Sequence, residues 1–288
     1  DANPGTWEEP KATVTGGVGA VFGNRNVYVD SSTVNYTESV TVPDNVRIYG
    51  SGTLFTTSTG RSFGSGIMPV VTGVAGPTFT IGSDVTLSGL EVRTAAGNDG
   101  IFAPNGATRV TLDNLLVDAS GGQRGIRFEG QSEYFEATLH DVTVMNATGP
   151  GASFYVYGAS GTFNLDITDS DFLGNGGGGL EVMAFNYDEA ALTLSGVTAI
   201  ANGQTGISAS LTAYGNVDIT LDTVTASYNN GPAPGEKDGI SLYAWAYTGT
   251  APGNVTLGMD AVNATGNGTD GIQVYLRAHG NVMATLHD

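Results

Sequence analysis

Residues 239–247 read Gly-Ile-Ser-Leu-Tyr-Ala-Trp-Ala-Tyr, and apolar residues occupy every second position of this stretch. Four aliphatic side chains fall on one side of an extended chain: Ile240, Leu242, Ala244 and Ala246. Polar and aromatic side chains fall on the other side: Ser241, Tyr243, Trp245 and Tyr247. Because the side chains of a β-strand alternate between its two faces, this period of two predicts a half-buried strand.

The same strand pattern begins at three further glycines, Gly179, Gly206 and Gly271. A second alternating strand precedes each copy and ends on one large apolar anchor residue: Leu87, Leu112, Leu139, Ile167, Leu194, Leu221, Met259 and Leu286. The intervals between successive anchors are 25, 27, 28, 27, 27, 38 and 27 residues. The longest interval carries its extra length in 231–238 and 248–253, which contain Pro and Gly and which we interpret as loop insertions.

A period of about 27 residues with three short strands and no helical pattern is typical of a β-solenoid. One coil cannot bury its own inner side chains, so successive coils stack about 4.8 Å apart around a shared apolar core. We therefore predict an all-β fold, a single-stranded right-handed parallel β-helix with three parallel sheets, since parallel crossovers are overwhelmingly right-handed. Residues 1–80 are predicted to form an irregular N-terminal cap with the first coils. Residues 81–288 are predicted to form the regular coils of the same continuous domain, truncated at the C-terminal end.

Composition restricts the classes of function. The chain has 288 residues, a net charge of −18 at pH 7 and no cysteine. The lack of cysteine removes disulfides, thiolate metal ligands and a cysteine nucleophile. A strongly negative surface repels nucleic acid, so we predict no nucleic-acid partner. No apolar run approaches the ~18 residues that a membrane-spanning helix needs.

Asparagine recurs eight residues after four of the anchors, at Asn175, Asn202, Asn229 and Asn267. Asparagines stacked at a turn bond the backbone of the next coil and form an amide ladder. We interpret this column as structural.

The outward face of the glycine-initiated strands is rich in aromatic residues. The predicted set is Tyr155, Tyr157, Phe185, Tyr187, Tyr214, Tyr243, Trp245, Tyr247 and Tyr275. Rings on successive coils form a patch that can stack on sugar rings or bury a partner protein, because rigid aromatics give a large contact area at low entropic cost. Two other arrangements explain the same pattern without a ligand: the insertion loops fold over the rings, or the rings pack on one another as cross-strand pairs.

Catalysis on this scaffold requires carboxylates, often with Arg or Lys, that converge from adjacent coils on one face. The candidates are Arg127 and Glu129 on one coil and Glu181, which is expected in the column of Arg127 two coils further along, with Tyr155 between them. Solvated charge on exposed positions explains these residues as well, and we therefore predict no catalytic residue.

Three aspartates are candidate calcium ligands. Asp141 and Asp169 are expected as neighbours in a corner column, and Asp171 lies two residues beyond Asp169. Carboxylate oxygens are the ligands that calcium prefers. Exposed turn residues are the alternative interpretation, so the prediction is a protein without a metal or other cofactor.

The repeated strand pattern resembles that of right-handed parallel β-helix proteins of the pectin-lyase-like superfamily. Residues 39–52, Ser-Val-Thr-Val-Pro-Asp-Asn-Val-Arg-Ile-Tyr-Gly-Ser-Gly, match the first-coil pattern of such proteins, and residues 4–14 are similar to the segment that often precedes it. Within the superfamily, the chain most resembles the β-helical passengers of bacterial inverse autotransporters of the intimin and invasin type. This resemblance implies an extracellular location on the bacterial surface, outer-membrane anchoring through a domain outside this chain, and an adhesive or spacer function.

The leading hypothesis is therefore a non-enzymatic adhesin or stalk whose partner is a glycan or protein on a host-cell or bacterial surface. The alternative is a polysaccharide lyase or glycoside hydrolase that uses Arg127, Glu129 and Glu181, or the pair Asp141 and Asp169. Ice binding through a threonine column is disfavoured because only one column is regular. No strong signal for a homo-oligomer is present.

Overall fold

A computed structural model describes residues 11–21, 25–31, 35–56, 60, 62–104, 106–231, 237–247 and 252–287. These residues form one short helix, α1 (Val14–Ala20), and 26 strands. No helix in the described ranges is long and apolar enough to cross a membrane. The two predicted loop insertions and the segment 4–14 lie mainly outside the described residues.

The strands form the three faces of the solenoid, and the chain passes from face to face as it winds. The first face contains nine strands: β3 (Val40–Val42), β8 (Phe79–Ile81), β10 (Asp99–Ala103), β12 (Arg124–Gln131), β14 (Ala152–Tyr157), β17 (Leu180–Tyr187), β20 (Ile207–Ala213), β23 (Ile240–Ala246) and β25 (Ile272–Ala278). The second face contains β1 (Asn26–Val29), β4 (Arg47–Gly50), β9 (Thr86–Arg93), β11 (Val110–Asp118), β13 (Tyr134–Met145), β15 (Thr162–Thr168), β18 (Glu189–Ser195), β21 (Val217–Asp222), β24 (Val255–Asp260) and β26 (Val282–His287).

The third face contains β2 (Tyr36–Thr37), β7 (Val70–Thr72), β16 (Asp171–Leu173), β19 (Thr198–Ile200) and β22 (Thr225–Ser227). Strands β9, β11 and β13 run through the corner from the second face to the third, so these two faces form one network of 15 strands. A small antiparallel pair, β5 (Phe55–Thr56) with β6 (Ser62–Phe63), is separate from the three faces.

Pairing within the three faces is parallel, and the anchors align in one column. Leu112 pairs with both Leu87 and Leu139, and the alignment continues through every later anchor to Leu286. The chain is thus an all-β parallel β-helix with three stacked sheets, which confirms the predicted fold class. Parallel pairing already begins at β1 and β3, in the part predicted as cap and first coils.

One hydrophobic core runs along the solenoid. All anchors from Leu87 to Met259 are at most 5% exposed. Phenylalanines stack along its axis: the rings of Phe128 and Phe154 are 4.9 Å apart, and those of Phe135 and Phe163 are 5.1 Å apart. Since burial of one large apolar side chain contributes roughly 1.5–3 kcal/mol, stacking of the coils is the dominant stabilising term.

A sharp corner between the second and third faces repeats in seven coils. The corner residue has a φ between 47° and 68° in each: Gly89, Asn114, Asp141, Asp169, Gly196, Thr223 and Ala261. This left-handed region favours glycine and, among other residues, asparagine and aspartate. Asp141 and Asp169 are therefore explained by the backbone conformation of the corner.

The four predicted asparagines stack in the turn that follows the third face. Their amides form a continuous ladder in which Nδ2 donates to the next Oδ1 at 3.0–3.1 Å. Each Oδ1 also accepts a backbone N–H of the preceding coil at 3.0 Å. Asn175, Asn202 and Asn229 are buried, so these hydrogen bonds hold successive coils in register without competition from water.

Candidate functional site

Strand register on the first face places its outward side chains in columns. One column runs through Arg127, Ser153, Glu181, Ser208, Ser241 and Gln273. The neighbouring column runs through Glu129, Tyr155, Met183, Ser210, Tyr243 and Tyr275. Most of the predicted aromatic set thus lies on one side of the molecule.

Tyr187 is an exception, and its predicted outward placement is wrong. The pairing of β17 with β20 shifts by one residue between Ala184 and Tyr187, and Asn186 has a φ of 64°. The extra residue of such a β-bulge reverses the alternation, so the next side chain returns to the interior. Tyr187 is accordingly 0% exposed, with its ring 5.8 Å from that of Phe163 in the core.

The remaining rings form two groups. The first aromatic cluster consists of Tyr155, Tyr157 and Phe185, on β14 and β17. Tyr155 is 50% exposed, and its ring lies 6.1 Å from that of Phe185 in an edge-to-face arrangement. Met183, which is also exposed, lies beside Tyr155 in the same column.

The second aromatic cluster consists of Tyr214, Tyr243, Trp245, Tyr247 and Tyr275. Tyr243 and Tyr275 stack almost in parallel, with ring centroids 5.0 Å apart. The ring of Trp245 is 4.2 Å from that of Tyr247, and the Arg277 guanidinium lies 4.4 Å from the Trp245 ring centroid. These contacts hold the rings in place, so they present a preformed surface.

Strand β20 separates the two clusters. Its outward positions hold Ser208 and Ser210, and Ser210 stands between Met183 and Tyr243 in their column. We call these two residues the serine strip. In the two outward columns, the predicted continuous aromatic patch is therefore divided by the small hydroxyl side chains of β20, and the next ring on that coil is Tyr214, directly after the strand.

The predicted catalytic candidates share one cleft at the first aromatic cluster. The cleft has a volume of about 270 Å³, and its lining includes Arg124, Arg127, Glu129, Glu181 and Tyr155. The residue between Arg127 and Glu181 in their column is Ser153, whereas Tyr155 is the column neighbour of Glu129. The small side chain of Ser153 leaves the space in which the longer side chains meet.

Charges in the cleft are extensively paired. Arg127 Nη1 lies 3.2 Å from Asp99 Oδ2, its Nη2 contacts Glu129, and its guanidinium lies 4.9 Å from the Phe102 ring centroid. Arg124 Nη1 lies 3.7 Å from Asp99 Oδ1. Burial opposes the charge of Arg127, but the hydrogen bonds with Glu129 and Asp99 outweigh it and raise the pKa of the guanidinium.

Glu181 lies in a different environment from Glu129. Burial raises the pKa of the Glu181 carboxyl, while the charge of Arg124 and the backbone N–H of Gly178 lower it in part. Glu129 instead contacts the charged Arg127. The cleft therefore contains two carboxyl groups that differ in burial and in their cationic partners.

The acidic corner has a different chemistry. His140 Nδ1 lies 2.7 Å from Asp113 Oδ1, and its Nε2 lies 3.9 Å from Asp169 Oδ2. The hydrogen bond with Asp113 raises the pKa of His140, partial burial lowers it, and the charges of Asp113, Asp141 and Asp169 raise it further. In the part of the chain that the structure describes, no group of three His, Cys, Asp or Glu side chains is arranged to hold a metal ion. Asp171 lies on β16, between Thr143 and Thr198 in register, away from the corner position of Asp169.

Several residues of this face were not singled out from the sequence. Asp99 positions both cleft arginines, and it belongs to an Asp-Gly-Ile triplet that recurs at 238–240 and 270–272. A Gly-Asn-Val triplet at 215–217, 253–255 and 280–282 marks a second, shorter ladder, in which the backbone N–H of Asn254 donates to Asn216 Oδ1 at 3.1 Å. Both triplets are visible as repeats at fixed positions in the coil.

Comparisons with known proteins add one structural likeness. No protein-family model matches the chain, and no curated protein sequence matches it. Among solved structures, the chain is similar to the A-module of the mannuronan C-5 epimerase AlgE4 from Azotobacter vinelandii, with a TM-score of 0.45 and 13% sequence identity. The alignment covers 95% of this chain and 91% of that one. A likeness of this strength bears on neither substrate nor mechanism.

Proposed function

We propose that this protein is an extracellular β-helix that binds glycan through its two aromatic clusters, without catalysis. The observation that carries the proposal is the exposure of rings on one side of the solenoid, where Tyr155 is 50% and Tyr214 40% exposed. Exposed aromatic groups on a rigid sheet stack on the apolar faces of sugar rings at little entropic cost. A partner protein buried against the same rings is the other outcome that a binding screen would reveal.

A glycan array tests this proposal directly. Trp245→Ala and Tyr155→Ala each remove one ring from a cluster, and each is expected to lower affinity about tenfold, since an aromatic contact contributes up to ~1.5 kcal/mol. Tyr134→Ala is the matched control, because Tyr134 is 63% exposed but lies on β13, outside the first face. Absence of binding to any glycan, or an equal loss in the Tyr134 variant, would contradict the proposal.

The same proposal assigns the chain to a bacterial cell surface, as an adhesive or spacer segment of a longer anchored polypeptide. Support comes from the resemblance of the strand pattern to autotransporter passengers. Protease treatment of intact source cells, followed by detection with an antibody against the chain, is the test. Digestion only after cell lysis would overturn the surface assignment.

A second candidate function is cleavage of a polysaccharide in the cleft of Arg127, Glu129 and Glu181. The specific observation in its favour is the contrast between the two carboxyls, since burial raises the pKa of Glu181 while Glu129 contacts Arg127. A glycosidase needs one protonated carboxyl to donate to the leaving oxygen and one carboxylate to act as base or nucleophile. Glu181 suits the first role and Glu129 the second.

Turnover assays separate the two candidates. The protein is incubated with neutral and acidic polysaccharides, with and without calcium, while reducing ends and unsaturated products are measured. Turnover that is lost in both Glu181→Gln and Glu129→Gln, but retained in Glu133→Gln, would replace the binding proposal by the enzymatic one. Glycan binding without turnover would exclude cleavage of the bound glycan by this cleft.

A further inference from the structure

The two aromatic clusters and the serine strip lie along the axis of the solenoid. Tyr155, Met183, Ser210, Tyr243 and Tyr275 occupy one column on five successive strands of the first face. Four strand spacings separate the first ring from the last, which corresponds to about 19 Å. A ligand that contacts both clusters must therefore be extended and must run parallel to the axis.

Resting on the glycan-binding function proposed above, we propose a specific ligand class. The ligand is an extended glycan, joined through equatorial bonds and free of acidic groups, that spans both clusters at once. In such a chain each sugar unit is about as long as the spacing between two adjacent strands, so successive sugar rings lie opposite successive coils. The column of five strands then accommodates about five sugar rings.

The serine strip fits the middle of this ligand. Ser210 stands in this column between Met183 and Tyr243, and Ser208 lies beside it in the neighbouring column; both serines are partly exposed. A sugar presents apolar faces to aromatic groups and hydroxyl groups at its edges, and serine hydroxyls both donate and accept hydrogen bonds. The rings at either end hold the glycan by stacking, and the serines between them bond its hydroxyl groups.

The absence of acidic groups follows from the charges of this face. Each of the three arginines that the structure describes on it already has a partner: Arg124 is paired with Asp99, Arg127 with Asp99 and Glu129, and Arg277 lies over Trp245. Glu129 and Glu181 add negative charge to the cleft, and the whole chain carries −18. A polyanionic glycan would meet the repulsion of this net charge, and of the described arginines on this face only Arg277, whose contact is with the Trp245 ring, is not bound to a carboxylate.

A length series tests the span. Binding of β-1,4-linked glucose and N-acetylglucosamine oligomers of two to six units is measured by titration calorimetry. We expect at least one of the two series to bind, with affinity rising about tenfold or more between the trimer and the pentamer, because only the longer chain reaches the second cluster. Mannuronate oligomers of the same linkage and length are expected to bind at least about tenfold more weakly, with a deficit that shrinks as salt is added.

Variants show whether one ligand contacts both clusters. Tyr155→Ala and Tyr243→Ala should each reduce pentamer affinity to about that of the trimer, whereas Tyr134→Ala should change neither. Pentamer and trimer binding with equal affinity, or mannuronate binding more tightly than the neutral oligomers, would overturn this inference while leaving glycan binding intact. Failure of every oligomer and every arrayed glycan to bind would overturn both.

Discussion

Removal of one asparagine amide from the ladder should destabilise the whole solenoid. Asn202 is 1% exposed, and its side chain makes four hydrogen bonds. Its Oδ1 accepts from the backbone N–H and the Nδ2 of Asn175 at 3.0 and 3.1 Å. Its Nδ2 donates to the carbonyl oxygen of Phe172 at 3.1 Å and to Oδ1 of Asn229 at 3.0 Å.

The structure sets the size of the effect. Each hydrogen bond contributes about 1 kcal/mol net, and a buried donor left without a partner costs more. Asn202→Ala removes four such bonds and leaves the backbone N–H and one of the two Nδ2 hydrogens of the buried Asn175 unpaired, so we expect a loss of about 3–5 kcal/mol in the free energy of unfolding. That is a large share of the ~5–15 kcal/mol that stabilises a typical domain.

Urea denaturation followed by circular dichroism measures this loss. Asn267→Ala is the matched control, because Asn267 also accepts two hydrogen bonds from Asn229 but is only partly buried, so water can replace them. We expect the control to lose less than half as much stability. A loss below about 1 kcal/mol for Asn202→Ala, or equal losses for both variants, would refute the argument that burial of the ladder determines its energetic value.

Three further outcomes are expected. Tyr187→Phe should leave the melting temperature unchanged or raise it, because the Tyr187 hydroxyl is buried without a hydrogen-bond partner among the described residues; a clear decrease would show that the hydroxyl is satisfied. Thr223→Gly should stabilise the protein by roughly 1 kcal/mol in urea denaturation, because a β-branched residue is strained at a φ of 55°; destabilisation would contradict this. The folded-state pKa of His140 is raised, so its stabilising contribution is full below its unfolded pKa and is lost as pH rises through the folded pKa. The stability difference between the wild type and His140→Gln should thus shrink with rising pH, and a pH-independent difference would refute the coupling to Asp113.

The column of anchors was predictable because one physical rule determines it. A shift of the strand register by one residue would turn Leu112 or Leu139 out of the core and expose apolar surface. The spacing of the anchors in the sequence therefore predicts which residues pair. The asparagine column was predictable for a similar reason, since a polar side chain in a buried turn requires a partner of its own kind one coil away.

Tyr187 and the cleft show where such reasoning stops. Alternation places Tyr187 outside, but a single left-handed residue at Asn186 inserts a bulge, and the alternating pattern of 180–187 does not mark that position. In the cleft, Arg127 and Glu181 were assigned to one column from the sequence, yet they share a cavity because the side chain between them, Ser153, is small. Whether a cavity forms depends on all the side chains around it together. The spacing of two residues in the sequence does not predict it.

The coil between Leu221 and Met259 contains 38 residues rather than 27, yet β23 and β24 pair residue by residue with β20 and β21. The strand pairing thus tolerates the extra length, and lengthening a loop costs little, about 0.6 kcal/mol for each doubling. The two positions that absorb it, 231–238 and 248–253, are natural points for grafting foreign peptides. A peptide grafted directly after Tyr247 would follow a residue of the second aromatic cluster in the chain.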